Sequence, residues 1–213
     1  MVAPWLNALA IASLWIALAC ALYVLVDVVR HPQGMAIMNW VWPITALYAG
    51  PLAVWAYFAW GKASAKTRAA GVAVDVSHCG AGCALGDIVA ESVIFVTGWS
   101  VAGSVLLAEY VGDYALAYTF GIVFQYFAIA PMRGLAFWPG IWAAIKADTL
   151  SLTAFEIGLF GWMALMNFVL FHPAPMPNQP AFWFMMQVGM LVGFITAYPM
   201  NWWLVRVGIK EPM

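Results

Sequence analysis

The chain has 213 residues, 66% of them hydrophobic and 8% charged, with a net charge of −1 and a mean hydropathy of +0.91. A soluble domain carries about 25% charged residues, so the composition excludes one and points to an integral membrane protein. The expected fold is an all-α helical bundle, one domain over residues 1–213, with the lipid bilayer as its first partner. No basic surface is available for nucleic acid, and three cysteines make no disulfide framework.

Six apolar segments follow in order. The first runs from about Trp5 to Val28. It is read as a span rather than a removable signal, because no basic residue precedes it and it is long enough to cross. The second, about Ala36 to Trp60, contains Pro43 and Gly50-Pro51 and should be kinked. A polar loop from Gly61 to Ser77 leads into the third, which starts near Ser77 and ends near Leu107. An acidic turn from Glu109 to Asp113 precedes the fourth, about Tyr114 to Ala130.

Leu135 to Lys146 is aromatic and broken by Pro139-Gly140, which suggests one short helix lying at the interface. The fifth segment is about Leu150 to Phe171. The sixth, about Ala181 to Val205, follows a Pro-rich loop. Six transmembrane helices would put Lys62, Lys66, Arg68, Arg133, Lys146, Arg206 and Lys210 on one side and Arg30 on the other. The positive-inside rule then makes both termini cytoplasmic, in a bacterial inner membrane.

The chemistry concentrates in residues 77–91, Ser-His-Cys-Gly-Ala-Gly-Cys-Ala-Leu-Gly-Asp-Ile-Val-Ala-Glu. On a helix, Cys79, Cys83, Asp87 and Glu91 recur every four residues. Each step advances about 400°, a drift of about 40°, so the four share one slowly winding stripe. Two thiols one turn apart, with His78 beside them, suit a soft ion such as copper, or zinc. Asp87 and Glu91 then continue toward the bilayer centre. Glu156 is the expected partner from another helix. An ionised carboxylate in hydrocarbon costs at least about 2.5 kcal/mol, so these acids need a proton, water or a cation.

The bland alternatives are two small buried cysteines at a tightly packed helix start and protonated acids that only pack helices. Met163 with Met166, and Met186 with Met190, are soft ligands or plain core filler. His31 with Met35 and His172 with Met176 could meet in an outer cluster. Each histidine adjoins a proline in a loop, so haem is not expected.

The stretch from Ser77 to Cys83 with Gly86, Asp87, Ile88 and Glu91 resembles the signature of a bacterial membrane family, domain of unknown function 4396. So do Asn39 to Thr45 and the tail Tyr198 to Leu204 with Gly208 to Glu211. The resemblance extends from about Met38 to the end and implies no activity. The function expected from the residues is binding and translocation of a soft or borderline metal cation, copper first and zinc second. His78, Cys79 and Cys83 would form a cytoplasmic mouth, and Asp87, Glu91 and Glu156 the path beyond it. The alternatives are a membrane thiol-disulfide oxidoreductase, or an accessory subunit of a larger membrane complex. A homo-oligomer stays open.

Overall fold

The computed structural model describes residues 3–63 and 66–210, and among these it is entirely helical apart from turns and one isolated bridge. The helices are α1 (Pro4–Arg30), α2 (Met38–Ala49), α3 (Pro51–Ala56), α4 (Arg68–Thr97), α5 (Val105–Arg133), α6 (Phe137–Leu165) and α7 (Pro180–Arg206). A π-helical turn, Tyr57–Gly61, prolongs α3, and another, Met166–Leu170, prolongs α6. Five of these helices, α1 and α4 to α7, are long and apolar enough to cross a membrane.

The second apolar segment is broken where the sequence predicts. Gly50 has φ +52° and ψ −127°, a conformation that favours glycine, and Pro51 starts the next helix at a position that needs no N–H. The break is a reversal rather than a kink. The Trp42 ring lies 5.7 Å from that of Tyr57, and a Cβ on Gly61 would meet the Trp42 indole. Along α1, Leu25 and Val28 share a groove with Asn39 and Trp40, and Ala19 and Tyr23 share one with Pro51 and Val54. Asp27 then meets Tyr57 and Lys62. The chain descends along α1 through α2 and climbs back through α3.

This hairpin sets the direction of everything after it. The long helices alternate: Gly82 and Gly86 of α4 face Gly121 and Ala117 of α5. Tyr118 and Tyr114 of α5 bond Thr149 and Thr153 of α6. Ser151 of α6 bonds Asn201 of α7. Arg30, Lys62, Lys66, Arg68, Arg133, Arg206 and Lys210 then all flank one end of the bundle. Lys146, in the early turns of α6, is nearest that same end, which accounts for all 8 basic residues. The start of α1 and the end of α7 lie at opposite ends, not on one side as six crossings would require.

Three boundaries also move. Helix α4 begins at Arg68, capped by the Thr67 hydroxyl, which accepts from Ala70 N–H at 3.2 Å. The stretch expected to be a polar loop up to Ser77 therefore forms its first turns. Glu109 and Asp113 stand inside α5, which Ser104 caps at 3.3 Å from Leu107 N–H; the turn is at Gly98–Gly103 instead. Residues 137–146 are no separate interfacial helix. Pro139 sits in the first turn of α6, where its missing N–H is no loss.

Helix α4 is the centre of the bundle. Its most apolar window is 61% buried, against 22% for α1. The small residues on it explain why. A Cβ on Gly82 would lie 2.9 Å from Gly121 Cα, and one on Gly86 would strike the Ala117 backbone. Glycine lets the two backbones meet, the usual means of helix association where lipid removes the hydrophobic drive.

Candidate functional site: a column of buried acids and thiols

The four-residue stripe is real on α4, and it is longer than expected. Asp75, Cys79, Cys83, Asp87 and Glu91 all have side chains at or below 1% exposure. The neighbouring helices answer it with acids of their own. Asp113 comes from α5, and Asp148 and Glu156, two turns apart, come from α6. Lys210, beyond the end of α7, is the one buried cation among the described residues.

These groups make a sequence of neighbours through the bundle. At the basic end, Gly208 turns the chain with φ +76°, and Lys210 folds back inside. Its Nζ donates to Asn201 Oδ1 at 3.0 Å and lies 3.7 Å from Asp148 Oδ1. Asn201 in turn donates to Ser151 Oγ at 2.7 Å. Asp148 approaches Cys79. Cys83 approaches both Cys79 and Glu156. Asp87 lies near Glu156 and Glu91. Glu91 approaches Asp113, with Glu109 beyond.

The approaches are not finished hydrogen bonds. Both carboxyl oxygens of Asp87, Glu91, Asp148 and Glu156 lack a hydrogen-bond partner among the described residues. Lys210 offsets one carboxylate. The others sit in a medium where an unpaired charge is costly. Neighbouring carboxylates repel, so Glu91 and Asp113 are costly to ionise together without a proton or a cation nearby. The arrangement can hold and hand on positive charge. Sulfur lies in the middle, oxygen toward one end, and a tethered ammonium at the other.

The expected site residues are thus brought together in part. Cys79, Cys83, Asp87 and Glu91 share the stripe, and Glu156 joins from α6. His78 does not. It is fully buried on a different face of α4, its ring centroid 6.1 Å from that of Phe124 on α5. The thiols form no mouth either. Counting from Arg68, Cys79 lies about 16 Å into α4, with no exposed surface. Glu91 is about 9 Å from the far end of α4, past the middle rather than at it.

No group of three or more His, Cys, Asp or Glu poised to hold a metal ion occurs among the described residues. The outer histidine cluster dissolves, since His31 follows α1 at the basic end and His172 follows the extension of α6 at the other. Met163 and Met166 are core, and Met186 and Met190 line a cavity beside Asp87.

Sequence reasoning missed Asp75, Asp113, Asp148 and Lys210. Three of them were within reach of the same pattern. Asp75 is one more step of four along α4. Asp113 continues Glu109 by four, and Asp148 precedes Glu156 by eight, once those residues are placed in helices rather than in turns. Nothing in the sequence says that Lys210 folds inward.

No curated protein and no solved structure matches the chain. A family model described as "Domain of unknown function (DUF4396)" matches residues 70–210. That span takes in nearly all of α4 and everything to Lys210, so it holds the whole column, while α1 and the hairpin fall outside it. The chain belongs to the DUF4396 family.

Proposed function

We propose that this protein moves a cation across the membrane along the column. The cargo is a soft or borderline metal ion, copper first and zinc second. The observation that carries the reading is the imbalance of charge among the described residues: five buried carboxyls, Asp87, Glu91, Asp113, Asp148 and Glu156, against the single buried ammonium of Lys210. A path for cations needs such groups, and intramembrane carboxyls are costly enough that helix packing alone seldom calls for so many. Cys79 and Cys83 put two sulfurs at mid-depth, a pair that favours copper or zinc over a hard ion; with Asp148 and Glu156 they are neighbours along the column rather than one preformed four-donor site.

The orientation follows from the positive-inside rule. With all basic residues at one end, that end is cytoplasmic. The start of α1 then faces the other side of a bacterial inner membrane, which replaces the expectation of two cytoplasmic termini. The oxidoreductase alternative requires a partner disulfide to reach a sulfur, and both sulfurs are completely buried.

The test is flux in vesicles reconstituted with the purified protein, read with reporters for Cu(I), Zn(II) and protons. Metal uptake above empty vesicles is expected, and Cys79→Ser or Cys83→Ser should each remove most of it. No metal flux, with metal content unchanged in both variants, sinks the reading.

A further inference from the structure

Between the hairpin, α4 and α7 lies a cavity of about 390 Å³, more than twice the volume of about 150 Å³ that holds benzene. Its wall on α4 runs from Thr67 to Ser77, about 15 Å along the helix. That is half of a hydrocarbon core of about 30 Å, the depth of one leaflet. The deep end is the hairpin tip, at Ala49 and Leu52. The shallow end, at the basic side of the bundle, is framed by Trp60 and Tyr198.

The hydroxyls deep in the wall are engaged, which leaves an apolar interior. Thr45 donates to Ser77 C=O at 3.4 Å, and Ser77 to Ala73 C=O at 3.0 Å. The Tyr48 hydroxyl lies away from the cavity, against Gly80 inside the bundle. One side is open to the bilayer, since Leu52 and Trp55 line the cavity and are 63% and 59% exposed. The mouth differs in chemistry. Lys66 and Arg68 are exposed on either side of Thr67, which lines it. The Arg68 guanidinium sits over the Trp202 ring at 5.1 Å. Trp202 stacks at 6.3 Å on Tyr198, so this charge is two rings from the cavity wall. Lys62 is committed to Asp27, but no acid pairs with Lys66 or Arg68 among the described residues.

We propose that this cavity is a site for one anionic phospholipid of the leaflet at the basic end. One acyl chain fills the slot between the hairpin and the bundle, and the phosphate meets Lys66 and Arg68. A chain hung from a headgroup enters one leaflet deep, which is the depth of the slot. Trp60, Tyr198 and Trp202 stand at headgroup level, where such rings are favoured, and basic side chains there attract anionic lipid. A soluble anion gains nothing from the apolar slot, and an uncharged lipid leaves the two cations unmatched. The inference stands on the cavity and its mouth alone and does not depend on transport.

Titration of the purified protein in detergent with phosphatidylglycerol and with phosphatidylcholine of the same chains tests it, read by native mass spectrometry. One phosphatidylglycerol should be retained, and phosphatidylcholine should bind at least about tenfold more weakly, the margin expected from two basic side chains. Lys66→Gln with Arg68→Gln, both on the surface, should bring the two lipids within about threefold of each other. Ala73→Phe, which fills the slot, should lose both lipids, and so should Leu52→Trp at the exposed rim, where the fold is not at stake. Equal retention of the two lipids by the wild-type chain would mark ordinary boundary lipid and overturn the proposal. So would an unchanged preference in the double variant. Phosphatidylglycerol held as tightly in both slot variants, or matched by glycerol phosphate, would reduce the site to a surface anion patch and overturn it too. Metal flux that fails while the lipid preference holds counts against the transport reading only.

Discussion

Trp42 and Tyr57 stand ring against ring at 5.7 Å, although a continuous helix would hold them about 22 Å apart. That contact turns an apparent span into a hairpin. The hairpin is tied at its foot, where Asp27 accepts from the Tyr57 hydroxyl at 2.5 Å and pairs with Lys62 Nζ at 2.5 Å. Lys62 also lies 5.0 Å from the Phe58 ring centre, within cation–π range. Single cysteines at Gly34 and Lys66, in a chain whose own cysteines are replaced by alanine, should be labelled by an impermeant maleimide from the same side of the membrane. Labelling from opposite sides would restore the straight span.

The contact between Lys210 and Asp148 predicts a thermodynamic signature. Both side chains are at most 1% exposed. Removing one partner of a buried pair leaves an uncompensated charge and costs about 3–5 kcal/mol. Lys210→Met should therefore lower the thermal midpoint markedly. Lys210→Met with Asp148→Asn removes both charges and should recover much of the loss. A double variant no more stable than the single one would mean that Lys210 acts through packing rather than charge.

Close packing of α4 on α5 gives a paired prediction. Gly86→Ala drives a methyl group into the Ala117 backbone, which cannot yield as a side chain can. Overpacking of this kind costs about 1–3 kcal/mol. A Cβ on Gly161, in α6, would meet nothing within 4 Å. Gly161→Ala should be neutral or stabilising by up to about 1 kcal/mol, from helix propensity alone. Equal effects at the two sites would show that α4 and α5 pack more loosely than backbone contact at Gly86 requires.

The sequence carries the helical class and most helix positions, because apolar runs of this length have few other fates. It also carries the stripe from Cys79 to Glu91, because a period of four is visible without coordinates. Direction is a different matter. Gly50-Pro51 says that α2 ends, but a kink and a reversal share that signature, and the difference lies in the Trp42–Tyr57 contact. Reading that segment as a crossing inverts the end at which α1 starts. It also separates Arg30 from the other seven basic residues, whereas the folded chain gathers all eight toward one end. Glu109 and Asp113 mislead for a related reason: two acids beside Gly112 look like a turn until their partner Glu91 is seen inside the bundle. His78 shows the opposite failure, since adjacency in sequence to Cys79 puts it about 100° away around the helix.

The last prediction concerns Glu91 and Asp113, which approach each other across α4 and α5. They form the oxygen-lined part of the column, away from Lys210. If a cation or proton passes between them, their charge matters and their shape does not suffice. Glu91→Gln keeps the size and most hydrogen bonding but fixes a neutral group. It should cut flux in reconstituted vesicles at least about tenfold, while metal bound at Cys79 and Cys83 is retained, because the thiols lie two to three turns away. Asp113→Asn should do the same. If the pair only packs helices, either amide can donate to the remaining carboxylate, and stability should hold or rise with flux unchanged. Full flux in both variants would remove the far end of the column from the path and leave Cys79, Cys83 and Glu156 as a site without an outlet.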